Sequence, residues 1–304
     1  MILSRRLASR VLYPSSPIPS RRTGTTVEVT RARAGWRFVH FAVRQVVPGK
    51  PWIHNTGTAE CGLVLLAGCC RVTYTSGKAP AVTVTLGPRR SVFADYPHTL
   101  YLPPRTSFSV AADVRTELAD ARAPSRQRLE PRLVRPEDCG FEIRGGGNAT
   151  RQIVDIMPPD FPADRLLVCE VFTPSGNWSS YPPHKHDTNR PPGEVKLEEV
   201  YYYRFEHPDA YGLQRLYDRH TDRTVTVRHG DVVLVRSGYH PFVTAHGYNA
   251  YYLNVLAGTR RSMAASDDPR YAAFRAWPPP DARVPLVAPP VNRASRGAPR
   301  QAVD

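Results

Sequence analysis

With 304 residues, 41% of them hydrophobic and 22% charged, the chain has the makeup of an ordinary globular protein, long enough for one large domain or two of usual size. No apolar run approaches the width of a bilayer, which excludes a membrane-spanning helix, and the 31 prolines argue against long helices and for short strands joined by turns. The formal charge of +14 rests on arginines gathered near the ends, such as Arg5, Arg6, Arg10, Arg21, Arg22, Arg293, Arg296 and Arg300; without a basic helix carrying interleaved aromatics, no nucleic-acid partner is expected.

Residues 1–24 read as a disordered basic extension, and Pro14, Pro17 and Pro19 break the apolar stretch that a secretory signal would need. Strand patterns begin at Val27-Glu-Val-Thr and Trp36-Arg-Phe-Val-His-Phe-Ala-Val, rich in β-branched and aromatic residues. They continue through Gly62-Leu-Val-Leu-Leu-Ala-Gly, Arg71-Val-Thr-Tyr-Thr, Ala81-Val-Thr-Val-Thr-Leu, Ser91-Val-Phe, Thr99-Leu-Tyr-Leu and Ser107-Phe-Ser-Val. Ala111–Arg132 is polar and reads as a connector with one short helix, and Arg144-Gly-Gly-Gly-Asn-Ala-Thr as a turn-rich joint. A second strand series follows, at 166–172, 200–205, 212–217, 224–227, 231–235 and 251–256, before a tail rich in proline, alanine and arginine. The matching order of the two series suggests a duplicated barrel. Expected boundaries are an N-terminal barrel at 25–125, a C-terminal barrel at 126–283 and a disordered tail at 284–304. The five cysteines form no Cys-x-x-Cys pair and several have apolar neighbours, which suits reduced core residues of a cytoplasmic protein.

The chemistry concentrates in the second series, where seven of ten histidines lie between 184 and 246. In Pro182-Pro-His184-Lys-His186-Asp, strand alternation turns His184 and His186 the same way and Lys185 the other. Leu197-Glu198-Glu199 leads into Val200-Tyr-Tyr-Tyr-Arg-Phe. A carboxylate facing inward there needs a partner, which a metal ion would supply. Glu199 shares a face with Tyr201 and Tyr203, so it is preferred over Glu198. Gly230-Asp-Val-Val-Leu-Val-Arg-Ser-Gly238-Tyr-His240-Pro delivers a third imidazole after a glycine turn, with His246 as its rival. Three imidazoles and a carboxylate suit a divalent transition metal such as Zn, Mn, Fe or Ni.

The order His-x-His, Glu, Gly…His between strands resembles the cupin superfamily. Gly176-Asn-Trp-Ser-Ser-Tyr-Pro-Pro-His-Lys-His-Asp, Leu197-Glu-Glu-Val-Tyr-Tyr-Tyr-Arg, Gly230-Asp-Val-Val-Leu-Val…Gly-Tyr-His-Pro and His246-Gly-Tyr-Asn-Ala-Tyr-Tyr-Leu-Asn-Val-Leu resemble more closely the 5-deoxy-glucuronate isomerase family of myo-inositol breakdown. The resemblance spans about Val27 to Trp277. It implies an all-β bicupin of two tandem jelly-roll barrels, the first metal-free, and conversion of 5-deoxy-D-glucuronate to 2-deoxy-5-keto-D-gluconate. Carried over, it makes His184, His186, Glu199 and His240 the metal ligands, with Glu198 and His246 still open as alternatives. The Asp187–Leu197 insertion is longer than the usual cupin spacing and could act as a lid or as a passive surface loop. Tyr201 and Tyr203 are candidate catalytic groups, and Gln214 with Arg215, ahead of Arg204, would bind the substrate. The expected partner is a small sugar acid, with no nucleic acid and no membrane, and a homo-oligomer is allowed. A cupin Fe(II) oxygenase and a non-catalytic sugar-acid-binding cupin are the alternatives.

Overall fold

The computed structural model describes residues 10–276 and 279–290. The outermost parts of both expected loose ends, 1–9 and 291–304, lie outside the described residues. The chain is nearly all strand, with one single-turn helix at Arg31–Ala34 and two short 3-10 turns among the described residues. It folds as two curled antiparallel units, the bicupin arrangement that the strand series imply.

The N-terminal barrel is one nine-stranded sheet built around the long strand Ala59–Ser76. That strand pairs with Thr99–Leu102 and Thr116–Pro124 through its first half, and with Val82–Arg89 and Thr106–Ala112 through its second. The C-terminal barrel combines a seven-stranded sheet, centred on Leu197–Phe205 and Ala250–Gly258, with a four-stranded sheet made of Trp178–Ser179, Phe242–Thr244, Tyr211–Tyr217 and Asp222–Arg228.

Alternation along the central strands divides the side chains between two destinations. From Leu197–Phe205, Val200 and Tyr202 join Phe41, Val43, Val64, Tyr101 and Ala121 in a core that lies between the barrels. Tyr201, Tyr203 and Phe205 point into the C-terminal barrel. The N-terminal interior is filled instead by Leu63, Leu65, Val72, Leu86, Leu100, Leu102 and Leu118. A fully buried leucine stabilises by roughly 1.5–3 kcal/mol, so both the shared core and the two separate fillings contribute heavily.

The central strands of the two barrels share one register. If Cys61 is set against Glu199, then Leu63 falls on Tyr201, and their cross-strand partners Asp120 and Asn254 coincide. Leu100 then falls on Val233, and the edge residues Leu133 and Leu12 coincide too.

A pair of glutamates obeys the same symmetry and clamps the barrels together. Glu60 accepts the backbone N–H groups of Asp164, Arg165 and Leu166, just before the strand Leu167–Thr173, at 2.7–2.8 Å. Glu198 accepts those of Arg37, Phe38 and Val39, just before His40–Val46, at 2.7–2.9 Å. Between the clamps, Arg89 and Glu170 form a bidentate pair at 2.7 and 2.8 Å with both side chains fully buried, and Tyr251 donates to the same carboxylate.

Several expectations need correcting. Residues 1–24 are not uniformly loose: Leu12–Tyr13 forms a strand that pairs with Val232–Val235 of the C-terminal barrel, and the Tyr13 ring is buried. Conversely Arg132–Val134, beyond the expected boundary at 125/126, pairs with Thr99–Leu102 of the N-terminal barrel. The expected tail at 284–304 is packed as far as Val287, whose backbone exchanges two hydrogen bonds with the side chain of Gln152. The expected connector 111–132 contains the strand Thr116–Pro124, sandwiched between His40–Val46 and Ala59–Ser76. Its sequence conceals it: Ala119, Ala121 and Ala123 make the interbarrel face, while Asp120 and Arg122 face inward as a buried ion pair.

Candidate metal centre and active-site cavity

The short strand His184–Lys185 pairs with Ser266–Asp267, and His186 follows it at once. Lys185 does turn away, binding Asp187 and Glu194 at 2.7 and 2.9 Å. Glu199 stands on the strand face that also presents Tyr201 and Tyr203 to the barrel interior. Glu198 faces the other barrel and is consumed by its three N–H contacts, so only Glu199 reaches the histidines.

His240 comes from the turn after Val232–Val235. Gly238 has φ +76°, and a Cβ there would lie 2.4 Å from the Tyr217 carbonyl oxygen, so glycine is required. Asp187 accepts the Gly238 N–H at 2.8 Å and so ties this turn to the His-x-His segment. His240 is fully buried, whereas its rival His246 is exposed.

His186 Nε2 lies 2.8 Å and His240 Nε2 3.4 Å from Glu199 Oε2. The ligand atoms of these three residues fall within 4.8 Å of one another. The half-buried His184 packs its ring 4.6 Å from that of His240 and 6.3 Å from that of His186, centroid to centroid. All three imidazoles use Nδ1 against a backbone carbonyl: His184 with Pro182 at 3.4 Å, His186 with Leu197 at 3.2 Å and His240 with Gly238 at 3.1 Å. For His184 and His240, donation from Nδ1 fixes the tautomer and leaves Nε2 as the lone-pair atom, the usual support of a metal-binding histidine, while His186 Nε2 donates to Glu199 Oε2.

Burial pushes His240 down to about 3, helped by His184, and it pushes His184 down to about 3, helped by His186. Both are therefore neutral at pH 7, as ligands must be. Burial also opposes the charged form of His186, but the Glu199 carboxylate outweighs it and raises that imidazole. His240 Nε2 is buried and has no hydrogen bond, because its 3.4 Å approach to Glu199 is misaligned. An orphaned buried lone pair, two more imidazoles and a carboxylate make a donor set that fits a cation.

Tyr201 packs edge-on against His240, ring centroids 5.9 Å apart, and its hydroxyl meets Ser180 Oγ at 2.8 Å. Tyr203 lies one layer deeper and donates to Gln214 Oε1. Gln214 Nε2 in turn donates to the His240 carbonyl at 2.5 Å, so Gln214 is fully engaged in holding the His240 turn. Gln214 and Arg215 are adjacent on one strand and cannot both face inward. Arg215 is on the outer face, paired with Asp222 at 2.6 Å, and Arg204 is outside as well, paired with Glu117. Neither arginine reaches the cavity.

Three further residues escaped the sequence reading. Asn254 donates to Glu199 Oε1 at 2.7 Å and orients the carboxylate. A lone amide within Tyr251-Tyr-Leu-Asn-Val-Leu was the available signal. Tyr252 and Ser180 extend the hydroxyl network, with Tyr252 at 2.5 Å from Ser179 Oγ. Ser180 has φ +51°, an uncommon conformation for a residue with a Cβ and one that clusters at functional sites. Beside this network a cavity of about 290 Å³ is lined by Asn148, Ala149, Trp178, Tyr181 and Phe274. The inserted segment 187–197 does not hang free: Glu194 accepts from Lys185, Asp187, Thr188 and Ser266 at 2.7–3.0 Å.

The sequence pattern of the KduI/IolB family matches residues 12–274. A curated 5-deoxy-glucuronate isomerase of Geobacillus kaustophilus (strain HTA426) is 41% identical over 265 residues, 86% of this chain and 94% of that relative. The crystal structure of an IolB-like protein from Salmonella typhimurium LT2 superposes with a TM-score of 0.82 at 34% identity, covering 88% of this chain and 99% of that one. Oxalate decarboxylase of Lactobacillus farciminis, in a formate complex, shares the fold with a TM-score of 0.64 at 12% identity, covering 85% of this chain and 88% of that one.

Proposed function

Because this chain belongs to the KduI/IolB family, we infer that it is a metal-dependent 5-deoxy-glucuronate isomerase. It converts 5-deoxy-D-glucuronate to 2-deoxy-5-keto-D-gluconate, an aldose–ketose isomerisation of inositol breakdown. The metal would be held by His184, His186, Glu199 and His240. The single observation that supports this set is the gathering of the ligand atoms of His186, His240 and Glu199 within 4.8 Å of one another, with the orphaned His240 Nε2 among them and the His184 ring packed against that of His240. A bound divalent transition ion such as Zn, Mn, Fe or Ni would polarise the aldehyde and acidify the neighbouring C–H.

The remaining work falls to the chain's own groups. The isomerisation moves a hydrogen from C2 to C1 and a hydroxyl proton from O2 to O1. Burial and the Glu199 charge push the Tyr201 phenol well above its ordinary value, so it keeps its proton at pH 7 and serves as a donor to substrate oxygen. Ser180 accepts from or donates to that phenol and can pass a proton on. Tyr203 acts beneath it, through Gln214, on the position of His240. Water is excluded by the aromatic packing of Tyr201, Tyr203, Phe242 and Tyr252. The reading also places the enzyme in the cytoplasm, where its five free cysteines stay reduced.

The test is turnover of 5-deoxy-D-glucuronate with metal analysis, before and after chelation. About one transition metal per chain is expected, with activity lost to the chelator and restored by metal. Full activity in metal-free protein would overturn the metal-dependent reading.

A further inference from the structure

The substrate has an aldehyde at one end and a carboxylate at the other, and the residues discussed so far serve only the first. We propose that Arg151 receives the carboxylate, an inference that rests on the isomerase reading above. Arg151 opens the strand Arg151–Met157 and lies on the same face as Ile153, which packs inside the C-terminal barrel with Tyr201 and Tyr252. Its neighbours Gln152 and Val154 face the other way.

Three arginines are buried among the described residues. Arg89 holds Glu170 and Arg122 holds Asp120, but Arg151, only 4% exposed, has no carboxylate within 4 Å among the described residues. Glu142, whose charge acts on Arg151, is itself paired with Arg144. Nη1 alone is satisfied, donating to the carbonyls of Tyr181 at 2.6 Å and Ala149 at 3.1 Å. Nε and Nη2, the edge that grips a carboxylate through two bonds, meet no acceptor among the described residues. A buried guanidinium without an anion is unfavourable unless something supplies one.

The surroundings identify that anion as substrate. Tyr181 and Ala149, whose carbonyls hold Arg151, both line the 290 Å³ cavity. Tyr181 is three residues before His184, and the guanidinium lies close enough to disfavour a proton on His184 and to favour ionisation of Tyr252. Burial, then Arg144, push Arg151 itself down to about 10, still fully charged at pH 7. A six-carbon acid with its aldehyde at Glu199 and its carboxylate at Arg151 would lie along the Tyr201–Ser180–Tyr252 hydroxyls.

The experiment compares Arg151→Met and Arg151→Lys with the wild type on two compounds: 5-deoxy-D-glucuronate, and the same sugar with a primary alcohol in place of the carboxylate. For Arg151→Met, kcat/KM on the acid should fall by roughly 10²–10³-fold, chiefly through KM, while the alcohol changes by less than about threefold. Arg151→Lys keeps the charge and should recover part of the loss, and it carries the comparison if the methionine variant does not fold. A parallel fall on both compounds, or an unmoved KM for the acid, would show a structural role only and overturn the proposal. If the wild type turns over neither compound, the isomerase reading fails. Calorimetric binding of the acid then decides Arg151 separately, weaker binding to the variants upholding the proposal and equal affinity overturning it.

Discussion

Leu63 and Tyr201 occupy the same place in two copies of one frame, and so do Cys61 and Glu199, and Asp120 and Asn254. In the N-terminal barrel these positions close the interior: leucines fill it, and the Cys61 thiol, 3.4 Å from Asp120, is raised well above its ordinary value by burial. In the C-terminal barrel the same positions carry a carboxylate, a phenol and an amide around three imidazoles. The register of the strands is therefore indifferent to chemistry. What makes one barrel a scaffold and the other a site is the choice made at a few inward positions, together with the glycine turn that delivers His240.

The sharpest way to break this comparison is to exchange its outcomes. Glu199→Gln should lose bound metal, and with it several kcal/mol of transition-state stabilisation, hence at least about 10³-fold in kcat. Cys61→Ser, at the matching place, should leave kcat and metal content within twofold. Metal analysis and turnover of the pair decide the matter, and equal effects would mean that the barrels are not divided into scaffold and site.

Asp120→Asn writes the C-terminal amide into the N-terminal barrel. Burial pushes Asp120 up, but Arg122, with Arg44 and His40, more than reverses it, so the folded carboxyl lies below its unfolded range. Its contribution to stability is thus present above about pH 4 and vanishes as pH falls through the lower folded value. The variant leaves Arg122 without its counter-charge and should lose about 3–5 kcal/mol at pH 7. Denaturant curves of the two proteins should converge as the solution is acidified, and a gap unchanged by pH would contradict the assignment.

The smallest effect tests the symmetry itself. Glu60→Ala and Glu198→Ala each release three backbone N–H groups across the interbarrel contact, and each should cost about 1–3 kcal/mol. Losses of the same order in urea unfolding are expected, the larger for Glu60, which also accepts from the buried Tyr101 hydroxyl at 2.9 Å. A Glu198 variant that instead lost metal while keeping its stability would move that residue into the metal site.

Much of the frame was legible because half-buried strands alternate: both strand series could be seen, and Glu199 could be separated from Glu198 by the face it shares with Tyr201. The histidines of the site were legible by order and spacing, a His-x-His pair, then Glu199, then a histidine after a glycine turn, whereas His207, His220, His229 and His246 of the same stretch lie outside it. Hidden were the elements whose pattern is set by partners far along the chain. Thr116–Pro124 carries an inward ion pair and an alanine face, so neither face looks apolar. Arg151–Met157 begins with a buried cation, and Asn254 is one amide in an apolar strand. Choosing Gln214 and Arg215 together overlooked the alternation that was applied elsewhere.

The exchanged edge strands set an order of events during synthesis. Tyr13 is made well before its partner Val232, which emerges more than 200 residues later. Until then the early strand has no sheet to join, and without it Val232–Val235 would present an unpaired edge to any other extended chain. A protein lacking Leu12 and Tyr13 would thus keep every side chain of the candidate metal centre and still become adhesive toward its own copies, so this one short strand guards the site by closing the edge of its sheet.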